Sequence, residues 1–202
     1  MITIIDYDAG NMKSVVKAFE YLGQDVQITR DRNRILNASK VVLPGVGAFG
    51  DAMESLRQYD LIDTIRDTVS KGLPFLGICL GMQMLFESSD ESPGVDGLGL
   101  LPGKILRIPE TEGLKVPHMG WNSLKINPAS RLFSGIGSEP YVYFVHSYYL
   151  QASHTEDVAA ETFYGVNIHA AVEQCNIFGC QFHPEKSSET GLHILRNFTE
   201  VK

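Results

Sequence analysis

A cysteine between two glycines is the sharpest chemical feature of the sequence. The segment Gly77-Ile78-Cys79-Leu80-Gly81 follows an apolar run and precedes a stretch that we expect to be helical from near Met82. It is the thiol form of the Gly-x-Ser-x-Gly nucleophile elbow, in which small neighbours leave room for a strained turn and for a substrate. The N-terminus of a following helix would favour the reactive thiolate. Cys79 is therefore a candidate nucleophile, with a buried cysteine at a strand end as the alternative.

A histidine and a glutamate separated by one proline form the second candidate group. They end the segment Gln181-Phe182-His183-Pro184-Glu185, where a further strand candidate finishes. Because residues i and i+2 of an extended chain point to the same side, we expect His183 to lie beside Glu185, with Pro184 keeping the segment extended. A carboxylate that orients an imidazole provides a general acid and base. A simple surface pair is the alternative, but together with the thiol elbow the pair is suited to acyl transfer.

A glycine-rich turn follows the third strand candidate. Its sequence, Pro44-Gly45-Val46-Gly47-Ala48-Phe49-Gly50, formally matches the Gly-x-Gly-x-x-Gly pattern of dinucleotide sites. Such a site would follow the first strand, and the next strand would end in a ribose-binding acid where this chain has Cys79. We therefore favour another use of the turn. The backbone N–H groups of Val46 and Gly47 are candidates for one side of an oxyanion hole, and the N–H of Leu80 for the other.

The elements that must position these groups alternate between strands and helices in the first half of the chain. This half comprises strands over Met1–Asp6, Val26–Thr29, Lys40–Leu43 and Leu73–Ile78, a helix from Met12 to the stop at Gly23, and one helical span from Asp51 to about Lys71. The second half contains short runs that indicate antiparallel strands, over Ser123–Ile126, Tyr141–Val145, Val158–Phe163, Ile168–Val172 and Ile177–Phe182, before a last helix over Ser188–Val201.

This order of elements predicts the fold class and the domain organisation. Alternating strands and helices predict an α/β fold with a doubly wound, mostly parallel sheet, to which the second half adds antiparallel strands. No linker divides the chain, so we expect residues 1–202 to form a single domain with a long surface loop over Glu91–Gly103. In such a fold the functional site lies at the carboxyl ends of the strands.

Composition and charge exclude several classes of protein. Of the 202 residues 44% are hydrophobic and 20% are charged, which excludes disorder, collagen and coiled coil. The net charge of −7 gives no bulk attraction to nucleic acid or to anionic lipid. The sequence has neither the leader pattern of exported proteins nor an apolar stretch of ~20 residues, so we expect a cytoplasmic protein without membrane association. Its three cysteines match neither a disulfide framework nor a metal-finger spacing, and we expect no metal.

The elbow and the His-Pro-Glu segment together resemble those of the class I (triad) glutamine amidotransferases. The similarity runs from end to end of the chain, through Asp6–Asn11, Pro44–Gly47, Gly77–Gln83, Pro117–Asn122, Phe144–Tyr148 and Gln181–Ser187. The resemblance implies that Cys79 attacks the side-chain amide of glutamine, with His183 as acid and base and Glu185 as its orienter. It implies no cofactor.

The same resemblance implies roles for residues that spacing alone does not single out. Gln83 and the backbone around Ser147 and Tyr148 would hold the glutamine, and Glu91 would take its α-amino group. Four further residues would face a partner protein: Asn11, Trp121, Tyr143 and Lys186.

The partner implied by the resemblance is a cyclase subunit with a (β/α)₈ barrel, which receives ammonia within a heterodimer. A barrel alone needs about 250 residues, more than this chain has, so we expect a separate protein. A peptide of the turn Pro44–Gly47 would complete the oxyanion hole only when this partner is engaged.

Three other functions stay open at this point. The chain could serve another synthase of the class, for anthranilate, guanylate or pyridoxal phosphate. It could act alone as a thiol hydrolase on γ-glutamyl compounds, or it could be a non-catalytic module that binds a phosphate or nucleotide at Gly45–Gly50. Activity without a partner would favour the hydrolase, whereas an ordinary thiol at Cys79 would favour the binding module.

Overall fold

An eight-stranded sheet forms the centre of the computed structural model, which describes all residues from Met1 to Lys202. From one edge inward its parallel strands are β2 (Val26–Thr29), β1 (Ile2–Ile5), β3 (Lys40–Gly45), β4 (Phe75–Cys79) and β13 (Ile177–Cys180). The antiparallel continuation is β12 (Val166–Gln174), β11 (Val158–Tyr164) and β8 (Lys125–Ile126). This topology confirms the predicted α/β class, with its antiparallel additions in the second half.

Helices cover both faces of the sheet. The five helices that pack on the sheet are α1 (Met12–Tyr21), α2 (Arg32–Leu36), α3 (Phe49–Gln58), α4 (Leu61–Ser70) and α6 (Ser188–Glu200). Each face has its own hydrophobic cluster. Ile4 of β1 packs in the cluster of α1 and α6, whereas its neighbour Ile5 packs in the cluster of α2, α3 and α4. Strands buried on both faces explain why the sequence has continuous apolar runs.

The structure divides the single helical span predicted between Asp51 and Lys71. The chain forms α3 and α4 instead, and Asp60 between them has φ 53°, a left-handed conformation that no helix interior accommodates. Aspartate tolerates this conformation better than most residues. Because a charged residue also fits the polar face of an amphipathic helix, the sequence pattern did not indicate the break. The segment between the strands predicted at Val26–Thr29 and Lys40–Leu43 contains a short helix, α2, that the sequence pattern did not predict. Asp31 caps its N-terminus by accepting a hydrogen bond from the N–H of Arg34.

Two smaller sheets flank the central one and include strands that the sequence pattern did not predict. The first contains β5 (Ser88–Ser89), β6 (Gly103–Arg107) and β10 (Tyr148–Ala152), and the second pairs β7 (His118–Ser123) with β9 (Tyr141–His146). The sequence His-Met-Gly-Trp-Asn-Ser of β7 has no regular apolar alternation, which is why it escaped prediction. None of the helices combines the length and the apolar character needed to cross a membrane.

Candidate active site

Cys79 is the last residue of β4, and the chain turns sharply there. Its backbone lies at φ 55° and ψ −112°, a conformation that is strained for any residue with a side chain. The turn brings Gly81 so close to β3 that a Cβ atom on it would lie 1.8 Å from the carbonyl oxygen of Leu43. This geometry agrees with the strained strand-to-helix turn expected around Cys79.

The helix after Cys79 is shorter and starts earlier than expected. We predicted a helix from near Met82, but α5 begins at Leu80 and ends at Gln83. The N–H groups of the first turn of a helix have no acceptor within the helix, and the N–H of Leu80, the residue after Cys79, is one of them.

His183 and Glu185 form a buried pair. Nδ1 of His183 donates to Oε1 of Glu185 at 2.8 Å, and the two side chains are 2% and 0% exposed. The backbone differs from the extended segment that we predicted, because Pro184–Lys186 form a 3₁₀ turn. Proline suits the first position of such a turn, where its missing N–H is not needed. The pair therefore meets across a turn and not along a strand.

The charge state of His183 depends on its neighbours. Burial alone would lower its pKa, but the thiol of Cys79 and the carboxylate of Glu185 outweigh that effect and raise the pKa to about 9. The second ring nitrogen, Nε2, is buried without a hydrogen-bond partner, and so is Oε2 of Glu185. Nε2 is thus the ring atom that can exchange a proton with a ligand.

The glycine-rich turn lies beside Cys79. Gly45 at the end of β3 pairs in register with Cys79, and the hydroxyl of Tyr7 donates to the carbonyl oxygen of Pro44 at 2.7 Å. Beyond this anchored point Val46 is 41% exposed and Gly47 has φ 102°. The turn is therefore held at its start and open to solvent at Val46 and Gly47.

A cavity of about 380 Å³ brings these elements together. The candidate catalytic, oxyanion and substrate residues all line it, apart from Glu185, which lies behind His183: Val46, Gly47, Cys79, Leu80, Gln83, Glu91, Ser147, Tyr148 and His183. The side-chain amide of Gln83 donates to the carbonyl oxygen of Tyr148 at 3.0 Å, and the carboxylate of Glu91 accepts from the N–H of Phe49 at 2.8 Å. The sequence reasoning missed three further lining residues, Pro117, Val145 and His146.

The four residues expected to face a partner differ in their surroundings. Trp121 is 51% exposed and packs edge-on against Tyr143, with ring centroids 6.2 Å apart, and Lys186 is exposed. Asn11 instead turns inward, where its amide donates to Oε1 of Glu185 at 2.9 Å. The backbone of Tyr143 also reaches the site, because its carbonyl oxygen accepts from the N–H of His183 at 3.0 Å.

No group of three or more histidine, cysteine, aspartate or glutamate side chains in the structure could hold a metal ion.

Comparison with known proteins assigns the chain to a class. A family model described as "Glutamine amidotransferase class-I" matches residues 3–201, and the chain belongs to this family. It is a glutamine amidotransferase, an enzyme that hydrolyses the side-chain amide of glutamine.

The most informative relatives have a more specific name. "Imidazole glycerol phosphate synthase subunit HisH" of Methanothermobacter thermautotrophicus is 52% identical over 201 residues, covering 100% of this chain and 98% of the relative. The protein of the same name from Caldanaerobacter subterraneus is 49% identical, with the same coverage.

Solved structures agree on the fold. A glutamine amidotransferase crystal structure has a TM-score of 0.76 at 19% identity and covers 98% of this chain and 100% of its own. A protein from Thermoplasma acidophilum, described as a putative subunit of GMP synthase, has a TM-score of 0.71 at 20% identity, with coverage of 98% and 92%.

Proposed function

We propose that this chain is the glutaminase subunit of imidazole glycerol phosphate synthase and acts in histidine biosynthesis. The names of relatives that are about half identical over their whole length support this assignment. The proposal includes a heterodimer with a separate (β/α)₈-barrel cyclase subunit, a cytoplasmic location and a single glutaminase domain over residues 1–202. It requires no cofactor, nucleic acid or membrane.

The first chemical step breaks the amide bond of glutamine. The thiolate of Cys79 attacks the amide carbon, and the C–N bond breaks as His183 delivers a proton from Nε2 to the departing ammonia. A thioester on Cys79 remains. The N–H groups of Leu80 and of Val46 or Gly47 would stabilise the oxyanion, and one such donor contributes roughly 3 to 4 kcal/mol to lowering the barrier.

The second step restores the enzyme. Nε2 of His183 takes a proton from a water molecule that attacks the thioester, and glutamate leaves as the thiol re-forms. One glutamine and one water thus give one glutamate and one ammonia, which passes to the cyclase subunit. That subunit uses it to make imidazole glycerol phosphate and an aminoimidazole carboxamide ribotide.

The free Nε2 of His183 is the observation that carries this mechanism. Glu185 holds the opposite nitrogen, so the ring presents one defined atom to the cavity that Cys79 also lines.

Ammonia release from glutamine tests the proposal. The pure chain is assayed alone, and then with a purified imidazole glycerol phosphate cyclase subunit plus its ribulotide substrate. We expect weak activity alone, a large rise with partner and ligand, and none in Cys79→Ala. Full activity without the partner would favour a stand-alone hydrolase. Stimulation by a different synthase would instead assign the chain to another amidotransferase of the class.

A further inference from the structure

Two buried histidines, His146 in the cavity lining and His118 behind it, have no part in the chemical steps above. His118 begins β7 and His146 ends β9, and the two residues face each other in register. Nδ1 of His118 lies 3.0 Å from Nε2 of His146. The ring of His118 stacks on Phe144 and on Tyr164, with centroid distances of 4.6 Å and 4.0 Å. Packing therefore holds this pair in one orientation.

The charge state of the pair fixes the direction of each hydrogen bond. Burial lowers the pKa of His118 to about 4 and that of His146 to about 3, so at neutral pH each ring carries one N–H. Nδ1 of His146 lies 2.8 Å from the carbonyl oxygen of Tyr148, which can only accept, so this nitrogen carries the hydrogen. Nε2 of His146 then accepts from His118, whose own Nε2 accepts from the amide of Asn122 at 3.4 Å.

The Tyr148 carbonyl connects these histidines to the nucleophile. It also accepts from Nε2 of Gln83 at 3.0 Å, and the same amide nitrogen donates to Oε1 of Gln181 at 3.0 Å. Nε2 of Gln181, which is fully buried, donates to Sγ of Cys79 at 3.8 Å. An unbroken chain of hydrogen bonds thus runs from Asn122 on β7 to the sulfur.

We propose that His146 and Gln181 are positioning residues for glutamine hydrolysis, because the hydrogen bonds through them hold the Tyr148 carbonyl, the Gln83 amide and the Cys79 sulfur in one arrangement. The proposal rests on the glutaminase function above, since it concerns the same cavity. Both amide hydrogens of Gln83 are donated to these two protein acceptors. Its side-chain carbonyl oxygen is therefore the atom that can accept from a donor on the substrate. Buried polar networks in which every member has a partner rigidify a site in this way.

Three variants and one control test the role of the hydrogen bonds as distinct from that of side-chain volume. His146→Leu removes one of the two donors to the Tyr148 carbonyl, the other being Gln83, whereas His146→Asn retains an amide N–H close to the position of Nδ1. Gln181→Met keeps the length of the side chain but removes both polar atoms. His154→Leu is the matched control, because His154 is exposed and takes no part in this series of hydrogen bonds. Far-UV circular dichroism and thermal unfolding verify that each variant folds.

Glutamine hydrolysis is measured in the complex with the cyclase subunit. His146→Leu leaves the Nδ1–H of His118 without its acceptor, and Gln181→Met does the same to an amide N–H of Gln83. Leaving a buried polar group unpaired should reduce kcat/KM by roughly ten- to a hundredfold in each variant. The loss in His146→Leu should fall mainly on KM, because the Tyr148 backbone lines the cavity, and the loss in Gln181→Met mainly on kcat. His146→Asn should recover most of the activity. Losses no larger than in His154→Leu, or no recovery in His146→Asn, would overturn the proposal.

Alkylation of Cys79 by iodoacetamide provides a readout that needs no glutamine. The reaction is followed in a Cys175→Ser background, since Cys175 is exposed and Cys180 is buried. We expect Gln181→Met to change the alkylation rate by at least fivefold and His154→Leu to leave it unchanged. An unchanged rate in folded Gln181→Met would refute the positioning role. If the wild type failed to hydrolyse glutamine, the glutaminase proposal would fall, while this rate would still decide whether Gln181 positions the sulfur. If His146→Leu does not fold, His146→Asn and Gln181→Met decide the outcome.

Discussion

The amide of Asn11 donates to the same carboxylate oxygen of Glu185 that accepts from His183, at 2.9 Å against 2.8 Å. Asn11 lies in the turn after β1, where its backbone has φ 67°, so the chain directs this side chain inward at a point close to the surface. The orientation of the Glu185 carboxylate therefore depends on a residue that the family resemblance places toward the partner.

Replacing Asn11 by alanine should lower kcat and leave KM for glutamine nearly unchanged. A hydrogen bond to a charged group contributes about 1.5 to 3 kcal/mol, so we expect a decrease in kcat of roughly ten- to a hundredfold in the complex. Asn37→Ala is the control, because Asn37 makes an exposed amide contact with the carbonyl of Asn33. Equal kcat values in Asn11→Ala and Asn37→Ala would show that Asn11 does not orient Glu185.

Replacing Glu185 by glutamine should move the titration of His183 to lower pH. The carboxylate raises the pKa of His183 to about 9 together with the thiol of Cys79, and a neutral amide removes that contribution. NMR titration of His183 measures the shift directly, and the alkaline limb of the kcat/KM profile should move in the same direction. A midpoint that stayed in place would contradict the assigned contact.

The free energy of unfolding should be greatest near pH 6.5. The folded pKa values of His118 and His146 lie below the unfolded value of 6.5, so the unfolded state binds more protons and stability falls as the pH drops below 6.5. From pH 6.5 to 5 each of these buried groups should account for about 2 kcal/mol.

His183 acts in the opposite direction and in another pH window. Its folded pKa is raised, so its contribution is complete below pH 6.5 and is lost as the pH rises through about 9. Urea unfolding at pH 5, 6.5 and 9 measures both limbs. Stability that rose steadily from pH 5 to pH 9 would be inconsistent with these shifts.

Glycine substitutions should separate folding from activity. In Gly81→Ala the new Cβ would collide with the backbone of Leu43, so we expect a loss of several kcal/mol in stability or no folded protein. In Gly47→Ala nothing lies within 4 Å of the new atom, and the positive φ gives a strain of about 1 to 2 kcal/mol. Gly47→Ala should therefore fold. It should lose glutaminase activity, because the strained residue carries one of the N–H groups proposed for the oxyanion hole. Gly137→Ala, at an open position, is the control for both measurements.

Alanine in place of Trp121 should weaken partner binding without destabilising the chain. An exposed aromatic anchor at an interface contributes about 2 kcal/mol or more, so Kd should rise roughly thirtyfold. Tyr21→Ala is the matched control, since Tyr21 is 75% exposed at the end of α1 remote from Asn11. Isothermal titration with the cyclase subunit measures both, and equal affinities would remove Trp121 from the proposed interface.

Local spacing was sufficient to predict the groups that depend on a single turn or strand. The elbow at Cys79 and the pairing of His183 with Glu185 arise within a few residues, so backbone geometry brings the atoms together wherever the segment lies. The α/β sheet could be predicted for the same reason, because the spacing of apolar residues within each segment indicates a strand or a helix. The helix break at Asp60 escaped this reasoning, since a charged residue gives no signal of its backbone conformation.

Tertiary structure alone decided the contacts between distant residues. Asn11 meets Glu185 across 174 positions, Gln181 meets Cys79 across 102, and His118 meets His146 across 28. Such contacts depend on strand order and register, which periodicity does not specify. Burial then determines that the two histidines are neutral and therefore which nitrogen donates, because the cost of desolvating a charge exists only once the chain has closed around it.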